Sequence, residues 1–240
     1  MVTRNLERTM EYKLARLWEI QRDIHAIGAA LSLAGWDQMV FMPLGGVEDR
    51  SNMVYALSKM HHQKNTSDEL GRILDDLTPY SASLDPDSAD ACLVIQSKRA
   101  YDKNTRIPTE FVAEFAQVTA KAQAAWEKAK DESQFAIFQP HLEEIVRYLR
   151  RYAEFFSPYE HIYDPLLDDN EPGLKTADVK VLFDSARPTQ IELIEKIKQA
   201  EQPETPFLGH FYDTDKQLEF IRSVITSLNF DWNRGRLDFS

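Results

Sequence analysis

Apolar residues recur every three or four positions along nearly the whole chain, a spacing typical of amphipathic α-helices. In the first segment this stripe comprises Leu6, Met10, Leu14, Leu17, Ile24, Ile27 and Leu31. The chain has only 8 Gly and 11 Pro in 240 residues, and patterns typical of strands are almost absent. We therefore predict an all-α fold, a multi-helix array of about eight to ten helices, as a single domain over residues 1–240.

Prolines, glycines and cap-forming residues predict where these helices begin and end. Trp36-Asp37-Gln38 and the segment Met42–Gly46 are expected to break the first helix, and a second helix is expected over about Val47–Gln63. Its inward residues are predicted as Met53, Val54, Leu57 and Met60.

Later helix starts are predicted from local signals in the same way. Thr66 with Glu69 is interpreted as a capping box, and Asp85-Pro86 as the start of a helix that carries Cys92 on its apolar side. Further starts are expected at Pro108 and Pro140, and a structured loop over 157–174. Separate helices are predicted over 176–186 and 188–201, followed by a Pro-rich connector and a last helix.

Composition excludes several classes of function. The net charge of −11 argues against nucleic-acid binding, which depends on basic residues that neutralise phosphates. The most apolar stretch, Ile24–Trp36, is shorter than the about 20 residues that cross a membrane. Cys92 is the one cysteine, so the chain cannot form an internal disulfide, which favours a reducing compartment. The Cys92 thiol is predicted to be buried and structural. We expect a cytoplasmic protein with no membrane or nucleic-acid partner.

The sequence contains no complete catalytic constellation. Its six histidines form neither a His-Glu-x-x-His zinc motif nor the Glu-x-x-His pairs of di-iron bundles. Adjacent His61 and His62 would point about 100° apart on a helix, so they are unsuited to sharing one metal. The run Asp168–Gly173 departs from a calcium loop and is interpreted as a solvated acidic turn. No catalytic and no metal-binding residue is therefore predicted in this chain.

An ordered series of short segments resembles the N-terminal half of carboxypeptidase Taq-type metallocarboxypeptidases. The resemblance covers essentially all 240 residues and is specific because its elements are many and keep their order. They include Trp36-Asp37-Gln38, Met42-Pro43, Gly45-Gly46, Trp126-Glu127-Lys128-Ala129, Pro140-His141-Leu142, Tyr163-Asp164-Pro165-Leu166-Leu167-Asp168, Glu171-Pro172-Gly173, Phe230-Asp231 and Gly235-Arg236-Leu237-Asp238.

This resemblance implies a cytosolic, all-helical zinc peptidase of the zincin type that releases C-terminal residues from peptides, usually as a homodimer. In that family the zinc ligands, the general base and the arginines that bind the substrate carboxylate follow the Gly-Arg-Leu-Asp segment. The resemblance therefore implies no cofactor in this chain, although zinc or another divalent metal is expected for the complete enzyme. It also implies that the chain alone is inactive and pairs with a missing C-terminal half or a second copy.

The segment from Trp36 to Arg50 is the candidate for a contribution to the substrate groove. Trp36, Asp37, Met42 and Arg50 offer an aromatic ring, an acid, a thioether and a base beside a Pro/Gly break. The alternative is that Trp36 and Met42 simply pack in the core and Arg50 is a surface charge.

Two other functions stay open at this point. One is a non-catalytic helical module that kept the scaffold and binds peptides or proteins; the other is a fragment of a related helical oligopeptidase. A missing catalytic half should leave a large apolar face uncovered, whereas a polar surface all round would favour the independent module.

Overall fold

The computed structural model describes the backbone of residues 2–239 and the side chains of residues 8–239. Its elements are α1 (Val2–Val40), α2 (Val47–Asn65), α3 (Asp68–Ser81), α4 (Ala89–Asn104), α5 (Thr109–Asp131), α6 (Phe135–Glu154), α7 (Asp164–Leu167), α8 (Thr176–Gln199) and α9 (Thr214–Ser227), with 3₁₀ turns at Leu44–Gly46 and Pro206–Gly209. No strand occurs among these residues. The all-α prediction is therefore confirmed.

The chain divides into two compact units, Met1–Asn170 and Glu171–Ser240. The first contains α1 to α7 and the second contains α8 and α9. The single-domain interpretation of residues 1–240 stays a prediction. Within the described part of the chain, no helix has the length and apolar character needed to span a membrane.

The hydrophobic core of the first unit lies where α1, α3 and α4 meet. On α1 its members are spaced three or four residues apart, and on α3 they follow the i, i+3, i+4, i+7 pattern of one helix face. They are Leu17, Ile20 and Ile24 of α1, Leu70, Ile73, Leu74 and Leu77 of α3, and Val94 of α4. This core contains the middle of the apolar stripe predicted for the first helix, whereas the side chain of Leu6 lies outside the described residues.

The predicted end of the first helix is wrong by several residues. α1 continues through Trp36-Asp37-Gln38 to Val40, and the backbone N–H groups of Phe41 and Met42 both donate to the Asp37 carbonyl, 2.9 Å away. The break comes from Pro43, because a proline disfavours helical backbone at the residue before it. The turn therefore separates Trp36 and Asp37, on α1, from Arg50, on α2.

The buried face of α2 is polar, which corrects the inward face predicted for this helix. Its buried residues are Ser51, Ser58, His62 and Asn65. Met53 and Met60 are 41% and 52% exposed, while Val54 and Leu57 are half-buried. Small hydroxyl-bearing residues on this side allow close packing of α2 against its neighbours, and α5 and α1 are the helices that it contacts most.

Two predicted helix starts lie one to three residues too early. The Ser67 hydroxyl accepts a hydrogen bond from the Leu70 N–H and caps α3, whereas the Thr66 hydroxyl donates to the His62 carbonyl at the end of α2. Ser88 caps α4 in the same way, so Asp85 is not the cap. In both cases the serine directly before the helix accepts a hydrogen bond from one of the first backbone N–H groups, which have no partner within the helix.

Prolines 140 and 188 lie inside helices, contrary to the predicted starts at these positions. Pro140 is within α6, which begins at Phe135, and Pro188 is within α8, which is one continuous helix rather than two. A proline removes one hydrogen bond and strains the preceding turn, and helices of 20 and 24 residues keep their remaining bonds on both sides. Pro108 does immediately precede α5, as predicted.

Cys92 is exposed, so the prediction of a buried thiol is wrong. The buried face of α4 consists of Ala91, Val94 and Ser97, one position away from the stripe read through Cys92 and Ile95. The Cys92 thiol lies 3.6 Å from the Pro86 carbonyl. Because α4 has apolar residues on several sides, periodicity alone does not identify which side is buried.

Candidate functional site

The four predicted groove residues lie around the corner between α1 and α2. Trp36 and Asp37 belong to the last turns of α1, Met42 to the turn, and Arg50 to the first turn of α2. All four are half-buried. The corner is therefore ordered by contacts within the chain.

Arg50 ties the two helices together at this corner. Its guanidinium donates to the Asp37 carboxylate and to the Ala34 backbone carbonyl, and its side chain is 14% exposed. The structure thus brings Asp37 and Arg50 into direct contact and gives both a structural partner.

The aromatic and thioether side chains of the corner pack locally. The Trp36 and Phe41 rings meet edge to face with centroids 5.3 Å apart, while Met42 Cγ lies 3.2 Å from the position that a Cβ on Gly46 would take. Nearby, the Gln38 amide donates to the Ala120 carbonyl of α5 at 2.8 Å. These contacts position the corner, and a role of Trp36, Asp37, Met42 and Arg50 in substrate binding stays a prediction.

A cavity of about 500 Å³ lies among α2, α4, α5, α6 and α7, within the first unit. Most of its wall is apolar, and its polar groups come from α2, the end of α4, α6 and the residues after α7. The lining residues are His61, His62, Asn65, Ala100, Asn104, Ile107, Phe111, Val112, Phe115, Leu149, Tyr152, Leu166 and Asp169. No sequence motif predicts this cavity, because its residues come from five segments of the chain.

His62 is buried and joins α2 to the connection between α4 and α5. Its Nδ1 lies 3.0 Å from the Thr109 hydroxyl and its Nε2 lies 3.1 Å from the Asn104 carbonyl. Burial lowers the pKa of His62, and the hydrogen bond to the carbonyl opposes this only in part. Burial also lowers the pKa of His61, which is half-buried beside it. Both rings are therefore neutral at pH 7.

A network of charges holds Asp168 and Asp169, and Asp169 lines the same cavity as the histidines. Lys103 pairs with both carboxylates, and Arg99 adds an ion pair to Asp168 at 3.0 Å. The Tyr152 hydroxyl donates to Asp169 at 2.8 Å, and burial together with this hydrogen bond raises the pKa of Tyr152. Asp168 is half-buried in this network, whereas Asp169 to Gly173 are exposed and lie in turns. The prediction of a solvated acidic turn therefore agrees with the structure, which adds the ion pairs at its first two residues.

The described residues include no group of three or more His, Cys, Asp or Glu side chains placed to hold a metal ion. His61 and His62 line the same cavity, yet His62 already uses both ring nitrogens in protein hydrogen bonds. The residues that the structure describes therefore do not fit a metal centre.

Comparison with known proteins decides the family. The sequence model of one protein family, described as carboxypeptidase Taq (M32) metallopeptidase, matches residues 16–240 of this chain. The chain belongs to the carboxypeptidase Taq family. Carboxypeptidase 1 of Bacillus subtilis is 30% identical over 222 residues, and thermostable carboxypeptidase 1 of Pyrococcus furiosus is 33% identical over 232 residues. These alignments cover 92% and 91% of this chain, but only 44% of each relative.

Solved structures of carboxypeptidase Taq family members have the same fold over this region. The crystal structure of BsuCP superposes with a TM-score of 0.88 at 29% identity, covering 95% of this chain and 46% of that one. The M32 carboxypeptidase from Deinococcus radiodurans R1 gives a TM-score of 0.73 at 29% identity, covering 95% and 45%. The chain thus spans about half the length of the relatives that it matches.

Proposed function

We propose that this chain is the N-terminal region of a carboxypeptidase Taq-type metallocarboxypeptidase, which releases C-terminal amino acids from peptides. The observation that carries the proposal is the family match over residues 16–240, together with relatives named carboxypeptidases that are about twice as long. In the complete enzyme a divalent metal, which we propose to be zinc, would supply Lewis-acid chemistry from the remaining half. The N-terminal helices would form one wall of the substrate groove.

We propose that the chain is inactive without that half. Peptide hydrolysis by a zincin needs two histidines and a glutamate on one helix, and none of the six histidines here is part of such a motif. Trp36, Asp37, Met42 and Arg50 would act through shape and contact with the peptide rather than as catalytic residues. A cytoplasmic location and a homodimer of the complete enzyme belong to the same proposal.

The surface of the second unit supports a missing packing partner. α8 carries exposed apolar side chains on more than one face, with Leu182 and Phe183 58% and 70% exposed. Val181, Ile191, Leu193, Ile194 and Ile197 of α8 are also at least half exposed. A helix that is apolar on several sides is normally buried. This exposed apolar surface supports burial against the missing half or against a second copy of the chain. An independent module would be expected to have a polar surface instead.

A chimera tests the proposal. The matched N-terminal part of Bacillus subtilis carboxypeptidase 1 is replaced by this chain, and release of C-terminal amino acids from a peptide is measured with added zinc. We expect release by the chimera and none by the B. subtilis second half alone. A chimera that folds and binds zinc but releases no amino acid would contradict the proposal.

A sharper version uses Phe183→Asp in the chimera. Because this ring is exposed in the separate chain, the substitution should leave the stability of the chain unchanged but should weaken packing against the second half. Lys180→Asp, at a charged position of α8, serves as the control and should have the smaller effect on activity.

A further inference from the structure

The cavity of the first unit has the size and lining of a small-molecule site. Its volume of about 500 Å³ lies within the about 300–1,000 Å³ of known ligand pockets. Phe111 and Phe115 contribute aromatic surface from α5, and aliphatic side chains from α5, α6 and α7 complete the wall. Such a wall favours a flat, apolar ligand, because burial of aromatic surface supplies most of the binding free energy.

The polar groups of the cavity define the charge of the ligand. Asp169 is already paired with Lys103 and accepts the Tyr152 hydroxyl, so its carboxylate needs no cation from outside. Both histidines are held neutral by burial. A charged ligand would lose its hydration without gaining a counter-charge, and this is costly. The cavity therefore selects an uncharged molecule.

His61 supplies the point of hydrogen bonding. His62 is occupied by Thr109 and the Asn104 carbonyl, whereas the ring nitrogens of His61 lie 3.4 and 3.5 Å from the Asn65 amide nitrogen. Those separations exceed the usual hydrogen-bond range, so the His61 ring keeps the capacity to donate to or accept from a ligand.

We propose that this cavity binds an uncharged aromatic molecule of one or two rings, with a hydroxyl or N–H group that hydrogen-bonds to His61. All residues that line the site belong to the first unit, so binding can be measured on this chain without the second half of the enzyme. Its test succeeds or fails independently of the peptidase proposal.

The experiment compares two probes that have the same two rings. 2-Naphthol is uncharged near neutral pH, whereas 2-naphthoate carries a carboxylate; each is titrated into the 240-residue chain at about pH 7.5. Methyl NMR signals of Ile107, Val112, Leu149 and Leu166 report directly on the cavity wall. We expect a Kd on the order of 0.1 mM for 2-naphthol and binding at least about tenfold weaker for 2-naphthoate.

Variants locate the site. Ala100 is exposed at the cavity, so Ala100→Trp should obstruct it without disturbing the fold and should weaken 2-naphthol binding at least about tenfold. Ala89→Trp, an exposed position at the start of α4 outside the cavity, is the matched control and should leave binding unchanged. His61→Leu should weaken binding about three- to tenfold through loss of one hydrogen bond.

The results that overturn the proposal are equally specific. They are an absence of methyl shifts with 2-naphthol at about 1 mM, tighter binding of 2-naphthoate, or equal binding by the Ala100→Trp and wild-type chains.

Discussion

His62 offers the sharpest test of how the first unit is held together. Replacing it with leucine keeps most of the side-chain volume but removes the hydrogen bonds to the Thr109 hydroxyl and the Asn104 carbonyl. Each bond contributes about 0.5–1.5 kcal/mol net. The Asn104 carbonyl also accepts from the Ile107 N–H, and therefore keeps one partner after the substitution. We expect His62→Leu to lower the free energy of unfolding by about 1–3 kcal/mol.

Urea denaturation followed by circular dichroism at the helix band gives this free energy. The matched control is His61→Leu, which removes an adjacent imidazole whose nitrogens lie 3.4 and 3.5 Å from the Asn65 amide nitrogen, and it should cost less than about 1 kcal/mol. If the two variants lose equal stability, or if His62→Leu loses less than about 0.5 kcal/mol, then His62 does not join α2 to the α4–α5 connection as described.

Three further predictions follow from the same unit. Because burial lowers the pKa of His61 and His62 below the ordinary value of 6.5, the unfolded chain binds more protons in mild acid. The free energy of unfolding should therefore be highest above about pH 6.5 and should decrease as the pH drops through the folded-state pKa values. Urea denaturation at several pH values should show a smaller decrease for His62→Leu. Lys103→Met should lower the free energy of unfolding by about 1 kcal/mol, since Asp168 and Asp169 lose a shared cation, whereas Lys180→Met at the exposed Lys180–Asp184 pair should cost less than about 0.5 kcal/mol. Ser67→Ala should lower the free energy of unfolding by about 1 kcal/mol through loss of the α3 cap. Thr66→Ala, at the neighbouring position, should lower it less, and equal losses would contradict Ser67 as the cap.

Periodicity predicted the helical fold and the part of the core that lies on α1, because repeated spacing along 14 or more residues is robust to one misplaced residue. Leu17 and Ile24 of α1 lie in the core, where the predicted stripe places them, whereas the faces predicted for α2 and α4 are wrong. Helix ends were predicted less well. Ser67 and Ser88 cap helices whose starts were assigned to Thr66 and Asp85, since several cap-forming residues stand close together there.

The site could not be predicted in the same way, because it is formed by residues that are far apart in the sequence. Arg50 could be singled out as a base near a loop, but its contacts with Asp37 and the Ala34 carbonyl require the helix to continue past Trp36. The cavity joins His61 to Tyr152 and Asp169, which lie about 90 or more residues further along the chain. Pairing of these segments follows from tertiary packing, so no spacing rule could reveal it.

The most direct test of the central claim is a peptidase assay of the 240-residue chain alone. Release of C-terminal amino acids from a peptide is measured with and without added zinc, cobalt or manganese, and again after a chelator. The account predicts no release above the metal-only control under every condition. Metal-dependent release that co-purifies with the chain and is abolished by the chelator would contradict it.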